Sequence, residues 1–243
     1  MNTDKIEYIN SIAADPNNSE WLKLLIEVQQ EIECLSCNPY YKTAYRSSEL
    51  FYWTHIPKWM FEEKKKGTQF NTILDIGCAY GTLALYAKKL FNVQQLYAID
   101  FMKYISDELV DMYQFNYLIN NFERDQFPWN IKYDLIIFTE VFEHLNFNGL
   151  FTLKKIHSLL SDKGSVYLST PDALYWGRVT KYYVDYNDIP YPIPNAPVID
   201  DHVYQYNLYE IFDLITKAGF KIDILDYAPG WAARHFNIKL VKS

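Results

Sequence analysis

The chain has 243 residues, 49% of them hydrophobic, and a formal net charge of −7 at pH 7. This length and apolar content predict a globular protein with a sizeable core and exclude an intrinsically disordered chain. The acidic balance disfavours nucleic acid as a partner, because proteins that bind it usually present a basic face to its phosphates.

The first part of the chain, residues 1–66, is predicted to be an N-terminal helical cap. Amphipathic spacing predicts a helix from Trp21 to about Ile32 and a second from Ser48 to Lys66, with Gly67 as its C-cap. The polar, acidic start lacks the features of a secretory signal, and no apolar run approaches the roughly 20 residues of a membrane span. We therefore expect a soluble cytoplasmic protein without membrane insertion.

Two of the cysteines, Cys34 and Cys37, have CxxC spacing. A structural zinc site needs four ligands, and the chain has no second CxxC pair. A redox pair would begin a helix after a strand, whereas this pair ends a helical stretch. We expect both to be plain reduced thiols.

Residues 67–243 alternate predicted strands and helices. The predicted strands are Thr72–Ile76, Gln95–Ile99, Phe115–Leu118, Tyr133–Thr139, Ser165–Ser169, Phe220–Asp226 and Phe236–Val241. The predicted helices between them are Tyr80–Phe91, Ser106–Tyr113, Asn148–Leu160 and Leu208–Ala218. The continuous apolar run within Tyr133–Thr139 is typical of a parallel strand buried on both faces. This rhythm predicts an α/β fold with a doubly wound, mostly parallel, seven-stranded sheet.

An aromatic and proline-rich insert, residues 171–202, interrupts the alternation. A segment of this length inside a compact domain is usually functional or disordered, and its aromatic content argues against disorder. It follows the end of a strand, where α/β proteins bind ligands. We expect the insert to form part of a substrate pocket, with contacts from Tyr175 and Trp176.

The strongest local motif is the turn from Asp75 to Gly81, which follows a strand and opens a helix. Glycines let the backbone approach a ligand closely, and a helix N-terminus offers free N–H groups to a carboxylate. Asp100 ends the second strand, where an acid can bind both hydroxyls of a ribose. A nicotinamide dinucleotide site would need G-x-G-x-x-G, whereas this turn has Gly77, Ala79 and Gly81 at alternate positions.

This combination resembles the class I S-adenosylmethionine-dependent methyltransferases, which commonly show D/E-x-G-x-G-x-G here. Further similarity extends to about Val241 and includes the Ser169-Thr170-Pro171-Asp172 turn after the fifth strand. The resemblance implies a Rossmann-like methyltransferase fold with S-adenosyl-L-methionine as cofactor. The cofactor-binding residues it implies are Asp75, Gly77, Ala79, Gly81, Asp100, Phe101, Asn121 and Phe122.

A second motif, Glu140-x-x-Glu143-His144, follows the fourth strand, and residues three and four apart share one face of a helical turn. Its spacing is similar to that in ubiquinone-biosynthesis O-methyltransferases and in the enzymes that 2′-O-methylate the 3′ end of small RNAs. In the RNA enzymes these residues and a distant histidine bind a divalent metal, and His202 resembles that histidine. The resemblance implies a site for Mg²⁺ or Mn²⁺ made by Glu140, Glu143, His144 and His202.

Two alternatives to a metal stay open for this motif. His144 can act as the catalytic general base without a metal, or it can pack under the cofactor in a structural role. The other histidines, His55, His157 and His235, lack carboxylate neighbours in suitable patterns, and we expect them to be core or surface residues.

The overall arrangement, from the helical cap to the His202…Tyr206…Glu210 stretch, resembles methyltransferases of bacterial surface-polysaccharide biosynthesis. This resemblance implies O-methyl transfer to a small polar acceptor, such as a sugar or a nucleotide-linked precursor of a surface glycan. One alternative is RNA 2′-O-methylation, which the net charge of −7 disfavours. Another is an inactive scaffold that binds the cofactor, which the retained polar cluster disfavours because buried unpaired carboxylates are costly.

Overall fold

The computed structural model describes residues 11, 15, 19–36, 38–177, 181–193, 196–230 and 233–243. Cys37, and with it the prediction for the CxxC pair, lies outside these residues. The helices are α1 (Ser19–Leu35), α2 (Arg46–Trp53), α3 (His55–Lys65), α4 (Thr82–Phe91), α5 (Asp107–Tyr113), α6 (Gly149–Leu159), α7 (Ala173–Trp176) and α8 (Leu208–Lys217). The described residues also form a π-helical turn at Tyr41–Tyr45 and 3-10 turns at Phe142–His144 and Tyr186–Asp188.

The strands are β1 (Thr72–Ile76), β2 (Gln95–Asp100), β3 (Asn116–Ile119), β4 (Tyr133–Thr139), β5 (Leu160–Pro171), β6 (Phe220–Ala228) and β7 (His235–Lys242). They form one seven-stranded sheet in the order β3-β2-β1-β4-β5-β7-β6. All neighbours are parallel except β7, which runs antiparallel to both β5 and β6. The predicted fold class is confirmed.

The predicted helix from Ser48 to Lys66 is two helices in the structure, α2 and α3, which meet at Thr54. Pro57 lies in the first turn of α3, where its missing N–H costs no helical hydrogen bond. A proline is therefore tolerated just after the break, whereas inside one long helix it would have removed a hydrogen bond and clashed with the preceding turn.

Helices cover both faces of the sheet, because successive residues of each strand point to opposite sides. On one face, Ile73 of β1 shares a hydrophobic cluster with Trp21 of α1 and Met60 of α3. On the other face, Leu74 shares a cluster with Leu214 of α8 and with residues of α6. The N-terminal helices thus pack into the core of one face, and their division from the rest at residue 66 stays a prediction.

The topology brings the candidate functional residues to one edge of the sheet. The parallel strands β1, β2, β4 and β5 all end there, and the antiparallel β7 begins there. Open α/β sheets bind ligands at this edge. Within the part of the chain that the structure describes, no helix is both long and apolar enough to cross a membrane.

Candidate functional site

A cavity of about 510 Å³ opens at this edge of the sheet. One end is lined by the turn after β1, the end of β2 and residues 120–123, and the other by residues 139–146 after β4. Further walls come from Tyr40, Tyr45 and Tyr52 near the N-terminus and from Trp176 and residues 198–202 of the insert. The cavity therefore has two halves, one at the β1 and β2 ends and one at the β4, β5 and β7 ends.

The turn after β1 needs glycine at its first position. Gly77 has φ of 74°, and an added Cβ would lie 2.2 Å from Cγ2 of Val141. Its N–H donates to the carbonyl of Ile99 on β2 at 2.9 Å, which ties the turn to the neighbouring strand. Ala79 stands where the family pattern has a glycine, and it still adopts the left-handed conformation, with φ of 46°.

Asp100 at the end of β2 is only 5% exposed and is held by backbone donors. One carboxylate oxygen accepts from the N–H of Ala79 at 2.9 Å and the other from the N–H of Met102 at 3.3 Å. Burial raises the pKa of Asp100 to about 6, against the opposing effect of these hydrogen bonds. Burial and the nearby Asp100 raise the pKa of Asp75 to about 8.

The structure brings most of the predicted cofactor residues into one wall: Gly77, Ala79, Asp100, Phe101, Asn121 and Phe122. Asp75 and Gly81 are not among the described residues that line the cavity. Asp75 is buried on β1, and Gly81, with φ of 83°, precedes the first residue of α4. These two residues shape the turn from behind the wall.

A polar group of three side chains stands in the second half of the cavity. One possible ligand atom from each of Glu143, His144 and His202 lies within 4.8 Å of the others. Glu143 is 1% exposed and accepts a hydrogen bond from the hydroxyl of Thr170 at 2.9 Å. Burial, together with the nearby Glu140, raises the pKa of Glu143 well above its ordinary value.

The two histidines of this group are oriented through their second ring nitrogens. Nδ1 of His144 lies 2.9 Å from the carbonyl oxygen of Asp201, so Nδ1 carries the proton and donates it. The Nε2 lone pair of the neutral ring is therefore free, 3.9 Å from the Glu143 carboxyl. Nδ1 of His202 lies 2.8 Å from the side-chain amide of Gln205. Burial lowers the pKa of His144 and lowers that of His202 to about 4.

Glu140, predicted as a fourth ligand of the metal, is not in this group of three. One of its oxygens accepts from the hydroxyl of Ser169 at 2.7 Å, and the other lies 2.8 Å from Nδ1 of His235. His235 is 1% exposed and lines the cavity. The expectation that His235 lacks a carboxylate neighbour is wrong, because β7 is antiparallel and begins at the edge of the sheet where β4 and β5 end.

The insert contributes to the cavity, but not through every predicted residue. Trp176 and His202 line it, whereas Tyr175 is 59% exposed and is not among its described lining residues. The Tyr175 ring instead lies 3.9 Å from the guanidinium of Arg234, which is paired with the buried Asp172 at 2.7 Å. Tyr175 therefore lies outside the described wall of the cavity, and its contact with a ligand stays a prediction.

Hydrogen bonds from Arg124 and Asn146 hold the last part of the insert against the cavity. The Arg124 guanidinium donates to the carbonyls of Ala196 and Pro197. The Asn146 side chain accepts from the N–H of Ile199 at 2.6 Å and donates to its carbonyl at 3.0 Å. These contacts position Ile199 and the residues next to it as a wall of the cavity.

A buried acid that the sequence patterns did not single out links the N-terminal helices to the cofactor turn. Glu49 on α2 accepts from the hydroxyl of Thr82, the first residue of α4, at 2.6 Å. Its other oxygen accepts from Gln29 of α1 at 2.9 Å. Burial raises the pKa of Glu49 to about 7. Its one sequence signal is that Tyr52 and Trp53 follow it three and four positions later.

Comparison with known proteins gives one family. The model of a methyltransferase domain family matches residues 51–224, and no curated protein matches the chain. Among similar solved structures is an O-methyltransferase from a trans-AT PKS multienzyme of Brevibacillus brevis in complex with S-adenosyl-L-homocysteine. It is 18% identical, the match covers 76% of this chain and 71% of that chain, and the TM-score is 0.56.

Two further solved structures match more of the chain. Magnesium protoporphyrin IX methyltransferase from Synechocystis is 14% identical, with 100% of this chain and 95% of that chain covered and a TM-score of 0.56. A 1,6-didemethyltoxoflavin-N1-methyltransferase from Burkholderia thailandensis is 13% identical, with 92% and 89% covered and a TM-score of 0.56. At these identities the likeness shows the fold alone.

Proposed function

Because the chain belongs to the methyltransferase domain family and is an S-adenosylmethionine-dependent methyltransferase, we propose that it methylates a hydroxyl oxygen of a small polar acceptor. The observation that carries this proposal is the cavity itself. Its first half has the turn and the acid that suit the cofactor, and its second half has a histidine with a free ring nitrogen. Cofactor and acceptor can therefore meet in one space.

The first half is proposed to hold S-adenosylmethionine. Asp100 would accept hydrogen bonds from the ribose hydroxyls, because its carboxylate ends β2 in the cavity wall and is fixed by two backbone N–H groups. The turn at Gly77 and Ala79 would approach the methionine end, and Asn121 and Phe122 the adenine. Of the solved structures compared, those from Brevibacillus, Synechocystis and Burkholderia hold S-adenosylhomocysteine.

The second half is proposed to deprotonate and position the acceptor. Methyl transfer is an in-line displacement at the sulfonium methyl, so its rate depends on placing the acceptor oxygen and removing its proton. His144 can take that proton at Nε2, because its Nδ1–H is held by the carbonyl of Asp201. The ring then stays in the tautomer that a general base needs.

Glu143, His144 and His202 also fit a divalent cation such as Mg²⁺ or Mn²⁺. A carboxylate with two imidazoles is a suitable donor set, and a metal-binding histidine usually donates its second ring N–H to an acceptor, as His144 does to the carbonyl of Asp201. A bound cation would lower the pKa of an acceptor hydroxyl. Glu140 is outside this set because Ser169 and His235 hold it.

The acceptor is proposed to be a carbohydrate, such as a sugar precursor of a bacterial surface glycan. Aromatic side chains, including Tyr45, Tyr52 and Trp176, wall the cavity and suit the flat faces of a sugar ring. RNA is the less favoured acceptor, because the net charge is −7 and no lysine or arginine is among the described lining residues.

The first test asks whether Asp100 binds the cofactor. Titration calorimetry with S-adenosylhomocysteine should show binding to the wild type and at least a tenfold loss for Asp100→Ala, because a charge-assisted hydrogen bond contributes about 1.5–3 kcal/mol. Asp162→Ala is the control, since Asp162 lies outside the cavity and is exposed. Normal binding by Asp100→Ala would reject the assignment of this half.

The second test separates the metal from the free base. If a cation activates the acceptor, enzyme treated with a chelator should lose methyl transfer and regain it with Mg²⁺ or Mn²⁺, while its affinity for S-adenosylhomocysteine is unchanged. His202→Ala should behave like chelation. Full activity in excess chelator would reject the cation and leave His144 as the base.

A further inference from the structure

The backbone of Glu140 is held in a conformation that non-glycine residues rarely adopt. Its φ is 54°, in the left-handed region, and such residues persist where the surrounding structure enforces them, often at functional sites. The enforcing contact is with β5, where the carbonyl of Ser169 accepts the Glu140 N–H at 2.9 Å. The fold therefore sustains an unfavourable backbone to place this side chain.

The Glu140 carboxylate is positioned from its buried side by two residues. Ser169 donates its hydroxyl at 2.7 Å, and Nδ1 of His235 lies 2.8 Å from the other oxygen, although the two groups are not aligned as a hydrogen bond. Ser169 and His235 lie on β5 and β7, which pair with each other. The sheet thus fixes both supports relative to the end of β4.

The carboxylate itself faces the cavity, beside the polar group of Glu143, His144 and His202. Glu140 accepts from the hydroxyl of Ser169 and Glu143 from that of Thr170, the next residue of β5, and both glutamates line the cavity, so the two polar points are neighbours on one wall. The rings of Tyr52 and Trp176 lie around His235, with centroids at 5.0 and 5.9 Å. An acceptor in this half meets two adjacent polar points and an aromatic wall.

We infer that Glu140 orients the acceptor by accepting a hydrogen bond from a hydroxyl or ammonium group on the carbon adjacent to the one that bears the methylated oxygen. The acceptor class is then a vicinal diol or an amino alcohol, because adjacent carbons present two donors at the spacing of two neighbouring polar points. Ser169 and His235 are positioning residues for Glu140. This inference rests on the proposed function, and it holds whether a cation or His144 activates the methylated oxygen.

The experiment measures methyl transfer from radiolabelled S-adenosylmethionine to matched sugar pairs. Each pair is a methyl hexoside with neighbouring hydroxyls and its monodeoxy counterpart that lacks one of them. The wild type should favour the diol by roughly tenfold to a hundredfold in kcat/KM, which is the effect of a hydrogen bond to a charged group. Glu140→Gln should reduce this preference to below about threefold, because it raises KM for the diol.

Further variants distinguish a loss of acceptor orientation from a general defect in folding. Ser169→Ala and His235→Asn should reduce the same diol preference by a smaller factor, whereas a merely structural defect would lower transfer to both sugars equally. Glu108→Gln, an exposed substitution on α5, is the control. Affinity for S-adenosylhomocysteine should stay within about twofold in all of them and shows that each variant is folded.

Three results would overturn the inference. In the first, the wild type has the same kcat/KM for the diol and the deoxy sugar. In the second, Glu140→Gln and Ser169→Ala lower kcat/KM equally for both sugars. In the third, no diol of the panel is methylated. Failure of the proposed function looks different, since the wild type would then not bind S-adenosylhomocysteine or would methylate an acceptor other than a hydroxyl.

Discussion

The two halves of the cavity, which we call the cofactor half and the acceptor half after the ligands proposed for them, are built in different ways. The cofactor half uses mainly one short stretch, from the turn at Gly77 to Asp100, and its shape comes from backbone conformation and backbone hydrogen bonds. The acceptor half is assembled from side chains as distant in sequence as Tyr45 and His235. A local backbone motif can be recognised in a sequence, whereas a convergence of side chains depends on the order of the strands.

This contrast predicts that substitutions in the two halves affect different quantities. Changes in the acceptor half should alter turnover or acceptor KM and leave cofactor affinity intact. Changes near the cofactor turn should alter folding and cofactor affinity together, because the same backbone provides both.

The largest effect is expected for His144→Ala. Removing the free Nε2 should lower methyl transfer by about a hundredfold to ten-thousandfold, the range for a general acid or base, with S-adenosylhomocysteine affinity within about twofold. Steady-state kinetics and calorimetry check the two quantities. His157→Gln, on α6 outside the cavity wall, is the control. More than a tenth of wild-type activity in His144→Ala would remove this residue from the chemistry.

The second-largest effect is expected at the turn after β1, where Gly77→Ala is compared with Gly67→Ala. Both glycines have positive φ, but an added Cβ would meet Val141 at 2.2 Å in the first case and nothing within 4 Å in the second. Denaturant unfolding should show a loss of about 3 kcal/mol for Gly77→Ala and about 1 kcal/mol for Gly67→Ala. Adding Val141→Ala should recover part of the larger loss. Equal losses for the two glycines would contradict the close approach.

A third effect concerns pH and the buried Glu49 beneath the cofactor half. Its pKa is about 7 in the folded protein against an ordinary value of 4.5, so the folded state binds this proton more tightly. Glu49 therefore contributes fully to the free energy of unfolding at a pH below about 4.5. This contribution, up to about 3 kcal/mol, is lost as the pH rises from about 4.5 to 7.

Glu49→Gln removes this titration, so its unfolding free energy should fall less than that of the wild type between pH 5 and pH 8. Urea unfolding across that range measures the difference. Glu27→Gln, an exposed substitution on α1, should follow the wild-type curve. Parallel curves for wild type and Glu49→Gln would mean that Glu49 keeps an ordinary pKa.

The smallest effect is expected within the insert, from Trp176→Ala and Tyr175→Ala. Trp176 lines the cavity, so its loss should raise the acceptor's KM by roughly tenfold, which corresponds to about 1.4 kcal/mol. Tyr175 is outside the lining and should change KM by less than about twofold. Reversed effects would mean that the acceptor approaches from the Arg234 side.

Sequence patterns predicted the sheet, its order of strands and helices, and the cofactor turn, since buried parallel strands and glycine turns leave local signals. The resemblance to the small-RNA 2′-O-methyltransferases pointed to Glu143, His144 and His202, which the structure brings together. The same resemblance assigned Glu140 to this group from its spacing alone. Spacing along one turn does not reveal that β5 and β7 supply competing partners.

The residues that sequence reasoning missed enter the site through tertiary structure. His235 reaches Glu140 because β7 runs antiparallel between β5 and β6, and no local pattern near His235 records that contact. In the sequence Glu49 resembles an ordinary helix residue, and only the folded structure shows its hydrogen bonds with Thr82 and Gln29. A charged residue with apolar neighbours three and four positions away was the one available sign.

The position of β7 also has a consequence during protein synthesis. The residues proposed to bind the cofactor all leave the ribosome early, since Phe122 is the last of them, whereas the carboxylate of Glu140 gains its second support only when His235 has emerged. In a nascent chain, the residues proposed for the cofactor are thus available before the proposed acceptor half can form. We therefore expect the proposed acceptor half to be complete only once β7 has paired with β5 and β6.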